Sequence, residues 1–310
     1  NDPERPGRAL WFRYTLLAPR RLVEAPIAEV WAICFEDGRP LKAGKDTFPA
    51  AGCVLEREGL GLQIGPNALG PGTARGDVGG IRWALDFPWV DRRPSALFPH
   101  RFLYKGGFPR TKAVTPCPDA PFTGFVEVEG QRWELRGWPG MLGHNWGTGQ
   151  LPAYHWAHCN LFTDGGVVEE GAVFEAGSGR IQLGQGLSPW LTVARARWRG
   201  EDIPLNRLRG LLNRSVEADL FHWSFEVTEG RWRAEWRVEA PREAFAGLRY
   251  RNPDASGLDC LNAKVASARL KLHRRGRGGW EQVADLESDR SCAYEILTTD
   301  PSHGVEMLVP

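Results

Sequence analysis

Residues 141–160, MLGHNWGTGQLPAYHWAHCN, bring together His144, His155 and His158, three of the chain's seven histidines, with Trp146, Trp156 and the thiol of Cys159. Imidazole and thiolate are zinc ligands, an imidazole in an apolar cleft is an acid–base group, and rings of this kind also fill cores. Spacing separates these options. If AYHWAHCNLF is extended, Tyr154, Trp156, His158 and Asn160 share one face, and His155, Ala157, Cys159 and Leu161 the other. His155 and His158 then point apart. They would converge only on a helix, where the glutamate of an HExxH motif is missing, so no metal site is expected. The Tyr154, Trp156 and Asn160 face instead offers broad rings with hydrogen-bonding tips, as a binding wall for an apolar ligand needs, and His158 is its candidate catalytic imidazole. GHNWG adds His144 as a second catalytic candidate, with Trp146 on the same face, Asn145 between them as a further binding residue, and glycines that permit close backbone approach. A satisfied core network built from the same side chains is the competing reading.

A third candidate lies far along the chain. In DCLNAKVASARLKL the even positions run Cys260, Asn262, Lys264, Ala266, Ala268, Leu270 and Leu272, and the polar odd positions mark the even face as the inner one unless a β-bulge switches the register. Asn262 and Lys264 are thus expected to point inward, Asn262 to bind and Lys264 to act. A buried ammonium needs a carboxylate partner or a shifted pKa, so Lys264 is either half of an ion pair or a site residue.

The elements that must hold these residues are strands. RWRAEWRVEA alternates Trp232, Ala234, Trp236 and Val238 against charged neighbours, and FHWSFEV and EVWAICFED follow the same rule, with Trp31, Ile33 and Phe35 on one face. Short helices are expected only near REAFAGL and PLNRLRGLL, and the proline-rich tract FPHRFLYKGGFPRTKAVTPCPDAPFTG reads as a long connection. The fold class is mainly β, built as sandwiches, barrels or paired barrels, and a Gly- and Ser-rich break near 186 divides it into 1–186 and 187–310.

Composition narrows the partners. Thirty-nine basic and 38 acidic residues leave a formal charge of +1, and the arginines between 195 and 251 alternate with glutamates as a solvated strand face does, so no nucleic acid is expected. No GxSxG, Walker loop or strand-following GxGxxG is present, so neither a covalent triad nor a nucleotide cofactor is expected. Six scattered cysteines without a CxxC read as reduced, mostly buried thiols. With the polar, proline-bearing start NDPERPGRAL and no apolar run long enough to span a bilayer, they point to the cytoplasm, with peripheral membrane contact at most.

ALWFRYTLLAP, EVWAICFED, GHNWG followed by HWAHCNLF, and the late RSCAYEILTTD together resemble the carotenoid 1,2-hydratase and AttH-like group of lipocalin-like proteins, whose wider relatives include tocopherol cyclase and the lipocalin-like Diels–Alderases. The resemblance spans most of the chain as spaced fragments. It implies two packed lipocalin-like antiparallel barrels, or a barrel with a sandwich, one in each half. It also implies a ligand cavity with neither metal nor nucleotide, and hydration, cyclisation or cycloaddition of terpenoid, prenylated or polyketide-like molecules. Hydratase-like members carry an acid before the motif histidine. Gly143 stands there in this chain, so no proton donor transfers from the motif, and the acid is expected to be either His144 or His158 as imidazolium or a carboxylate such as Glu169 or Asp259 brought in by the fold. The function expected is a cofactor-independent cyclase, isomerase or hydratase of a bulky apolar small molecule. The alternative is a non-catalytic carrier of a lipid-like ligand.

Overall fold

In the computed structural model, which describes residues 1–19, 25–56, 60–89, 95–207, 215–252 and 256–309, two-residue alternation becomes antiparallel sheet almost throughout. Strands β1 (Ala9–Leu17), β2 (Ile27–Glu36) and β3 (Arg39–Pro49) form a sheet of their own. The next seven are consecutive neighbours in a second sheet: β4 (Val54–Leu55), β5 (Leu62–Ile64), β6 (Asn67–Gly70), β7 (Thr73–Val78), β8 (Ile81–Asp86), β9 (Thr111–Val128) and β10 (Gln131–Gly147). The third sheet opens with β11 (Ala153–Cys159), β12 (Thr163–Asp164), β13 (Val167–Val168) and β14 (Val173–Arg180). After a small hairpin, β15 (Gln182–Leu183) and β16 (Gly186–Leu187), it continues through β17 (Leu191–Trp198), β18 (Glu201–Leu205), β19 (Val216–Asp219), β20 (His222–Glu229) and β21 (Trp232–Glu239). It ends with β22 (Ala246–Arg251), β23 (Gly257–Gly276), β24 (Gly279–Thr298) and β25 (Met307–Val309). Its main path is β18-β17-β14-β11-β24-β23-β21-β20-β19. This is the mainly β, lipocalin-like framework read from the sequence, and its sheets run as open paths rather than closed barrels among the described residues.

Side-chain parity sets the layers. On β2, Trp31, Ile33 and Phe35 pack into the core of the third sheet, while Ala28, Val30, Ala32 and Cys34 pack into the core of the second. Nearly the whole strand is therefore buried, which is why it reads as a continuous apolar run. β1 divides likewise: Leu10, Phe12 and Tyr14 face the second sheet, and Trp11 faces the third. The three-stranded sheet is a middle layer between two cores.

Two expectations are corrected. REAFAGL is one 3₁₀ turn, Arg242–Ala244, running straight into β22, where pairing with β23 overrides the weak helical preference of so short a segment. PLNRLRGLL begins inside β18, and its residues 208–212 lie outside the described residues. The proline-rich connection becomes strand from Thr111 onward. Pro116, Pro118 and Pro121 fall where β9 pairs with β10 but lies beyond the reach of β8, and a missing N–H is tolerated on such an edge. β14 and β17 pair with each other across residue 186.

None of the six cysteines is in a disulfide, and five of the six are buried. Arginines on β21 form ion pairs at the sheet surface, Arg233 with Glu226 and Glu235, and Arg237 with Glu239. No helix is long and apolar enough to cross a membrane among the described residues.

Candidate active site

β11 lies between β14 and β24, and its register fixes the neighbours of each side chain. Trp156 stands opposite Glu295 on β24, and His158 opposite Glu175 on β14. One strand further, Asn262 on β23 stands opposite Glu295. Tyr154, Trp156, His158, Glu175, Asn262 and Glu295 therefore share the face that the middle layer covers. His155 projects from the other face, where its Nδ1 lies 2.9 Å from the Tyr294 hydroxyl and its ring packs on Trp190 and Trp223. The two histidines do point apart, as alternation requires.

Counting by twos ties Lys264 to Leu270, and the structure separates them. The register shifts between Ala263 and Ala266 and again before Ala268, so Leu270, opposite Trp236, faces the interior core of the third sheet. Asn262 and Lys264 emerge on the opposite face and are buried there by β1. The bulge foreseen as an exception is present, and both residues are buried all the same, at 0 % and 5 % exposure.

The Lys264 ammonium is the centre of the cluster. Nζ donates to Glu295 Oε1 at 2.7 Å, and Asn262 Nδ2 donates to the same oxygen at 3.0 Å. It also sits between two indoles, 5.7 Å from the Trp11 ring and 5.5 Å from the Trp156 ring. Two further cations lie on rings along the same seam: Arg13 over Tyr250 at 4.6 Å, and Lys45 over Trp31 at 4.6 Å. Burial pushes the Tyr154 and Tyr250 phenols well above their ordinary range and the Cys260 thiol up to about 12.

On the other edge of Trp156 lies a second carboxyl. Glu175 is 2 % exposed, and its Oε1 accepts from Thr115 Oγ1 at 2.7 Å and from Trp156 Nε1 at 3.4 Å. Burial raises its pKa, which favours the protonated acid. His158 is stacked on Trp156 at 6.3 Å between centroids, and burial, aided by Lys264, lowers its pKa to about 4 against a hydrogen bond to the Pro118 backbone. The imidazole is thus neutral at physiological pH. Its Nε2 and Glu175 Oε2 are both buried without a hydrogen-bond partner, on residues facing each other across two strands.

Asn160 is a tie between sheets: its Nδ2 donates to Asp119 Oδ1 and to the Gly140 carbonyl. His144, Asn145 and Trp146 are exposed at the end of β10, where His144 stacks on Trp146 at 5.1 Å and Trp146 meets Tyr104 at 6.0 Å. Among the described residues no ring contact or hydrogen bond joins them to Trp156, His158 or Lys264. The last glycine of GHNWG does allow close approach, since a Cβ on Gly147 would fall 1.9 Å from the Arg110 carbonyl oxygen. Glu169 is paired with Arg199, and Asp259 with Arg249 and His303, so both carboxylates are committed away from the cluster.

Sequence reasoning missed Trp11, Arg13, Glu175 and Glu295. A signal existed for Glu295, a single carboxylate inside the apolar run SCAYEIL. A crevice of about 570 Å³, lined in part by Glu36, Arg39, Arg242, Glu243 and Phe245, lies elsewhere and is lined by none of the candidate site residues.

The profile of the tocopherol cyclase-like family matches residues 118–297, more than half of the chain, including β11, β14, β23 and nearly all of β24. Two uncharacterized proteins of Mycobacterium tuberculosis, from strains CDC 1551 / Oshkosh and ATCC 25618 / H37Rv, are each 28% identical over 273 residues, covering 86% of this chain and 77% of theirs. The crystal structure of an AttH-like protein from Nitrosomonas europaea shares the fold, with a TM-score of 0.56, 11% identity, and coverage of 93% of this chain and 87% of that one.

Proposed function

The chain belongs to the tocopherol cyclase-like family, and we propose that it is a cofactor-independent cyclase or isomerase. It closes a ring on a bulky apolar molecule with a terpenoid, prenyl or polyketide-like chain and at least one oxygen. The observation that carries the reading is the Lys264 ammonium held between the Trp11 and Trp156 rings, with Glu295 taking one of its three protons. An ammonium so placed has donors left to fix a substrate oxygen, while the indoles receive the apolar remainder. The partial exposure of Trp11, Tyr154 and Trp156 marks the side from which such a guest enters.

Each residue then has a role. Glu175, whose acid form burial favours, gives its proton to an alkene carbon at the far edge of Trp156. The oxygen held at Lys264 bonds to the neighbouring carbon and gives up its own proton, which returns to the Glu175 carboxylate by way of neutral His158. Substrate and product have the same atoms. With water as the attacking oxygen the same protonation is a hydration. Trp156 and Trp11 stabilise the cationic carbon through their ring faces. Tyr154, Asn160 and Asn262 shape and orient the wall.

The test is conversion of terpenoid, prenylated quinol and polyketide pools in D₂O. An active substrate gains one non-exchangeable deuterium on carbon and changes retention without other mass change. Glu175→Gln is expected to lose about 100-fold or more in kcat while keeping the ligand-induced rise in melting temperature. Ligand stabilisation without any conversion would make the protein a carrier and sink the reading.

A further inference from the structure

We propose that the aromatic and basic face formed by residues 98–110 and the end of β10 seats the protein on an anionic lipid bilayer. Phe102 and Phe108 are 64% and 65% exposed, far more than a large apolar ring needs to be, and Trp146 beside them is 37% exposed. The rings pack in two groups, His100 stacked on Phe102, and Tyr104 against both Phe98 and Trp146. Aromatic rings with polar edges favour the headgroup level of a membrane.

The display is built. Lys112, only 4% exposed, donates from Nζ to the Gly106 and Pro109 carbonyls at 3.1 and 2.6 Å. A buried ammonium is thus spent on holding the very loop that presents Phe108. Nothing in that loop turns the ring inward.

Charge selects the occupant. Arg101, Lys105 and Arg110 are exposed around the rings, and there is no aspartate or glutamate between residues 95 and 118. A second copy docked symmetrically on this face would set these cations against themselves. Anionic headgroups neutralise them while the acyl boundary receives the phenylalanines. The inference does not depend on the reaction assigned to the buried site.

Co-sedimentation with unilamellar vesicles tests it. The wild-type protein is expected to bind mixed phosphatidylglycerol–phosphatidylcholine vesicles, to bind pure phosphatidylcholine at least about tenfold less, and to be released by high salt. Phe102→Ser with Phe108→Ser, and separately Arg101→Glu with Lys105→Glu, should each cut binding about tenfold or more at an unchanged melting temperature. These side chains are exposed, so folding survives their loss. Absence of vesicle binding by the wild type, binding at the wild-type level by either variant, or a concentration-dependent dimer abolished by the phenylalanine changes would overturn the proposal.

Discussion

Replacing Lys264 by methionine will destabilise the unliganded protein by about 3–5 kcal/mol, because it leaves the Glu295 carboxylate buried under β1 without its counter-charge. Methionine retains the length of the lysine stem, so the Trp11 and Trp156 faces keep their packing and the loss is electrostatic. The sharper expectation concerns the pair. Lys264→Met together with Glu295→Gln removes both charges, and the amide can still accept from Asn262 Nδ2. Most of the lost stability should return, giving a coupling of at least about 2 kcal/mol in a double-mutant cycle followed by urea unfolding. Additive losses would mean that the two groups are not an ion pair in solution. The double variant also provides a stable background in which to ask whether a ligand still raises the melting temperature, separating what Lys264 does for folding from what it does for binding.

Acidification from pH 7 to pH 4 will unfold the protein progressively through its two oppositely directed histidines. Burial lowers His155 to about 3 and His158 to about 4, and each has an ordinary value of 6.5 in the unfolded chain. As pH falls below 6.5 the unfolded imidazoles take up protons that the folded ones refuse. The unfolded state then binds more protons, and stability falls with pH. The contribution is complete above 6.5 and is lost as the pH approaches 4 for His158 and 3 for His155, about 3 kcal/mol for His158 and about 5 kcal/mol for His155. Urea midpoints measured at intervals over this range should drop steeply for the wild type. In His155→Gln and in His158→Gln the slope should fall by about one proton's worth, roughly 1.4 kcal/mol per pH unit. Parallel slopes in all three proteins would show that these imidazoles are solvated or already charged in the fold.

The part of the site that was legible in sequence is the part governed by local alternation. Tyr154, Trp156 and His158 lie within five residues of one strand, and period two places them on one face whatever else the chain does. Lys264 lies within reach of the same logic only up to the bulge, because an unpaired residue leaves no mark in composition. Glu295 and Glu175 reach the site through pairings with β23 and β11 that join residues far apart in sequence, and no spacing rule carries that information. His144 and Trp146 show the opposite failure: their motif is conspicuous, but the edge of β9 and the close approach at Gly147 carry them to an exposed shelf. The prolines of β9 hid a strand because their tolerance depends on which side β8 ends, a fact of the sheet and not of the tract.

β2 has a consequence for how the molecule holds together. Its odd side chains complete one core and its even side chains the other, so a single ten-residue strand is the shared wall of both. Stripping it away uncovers apolar area on both sides at once, and neither remaining sheet has a surface of its own to replace it. What looks like two stacked modules is thermodynamically one body, with its keystone in the first forty residues of the chain.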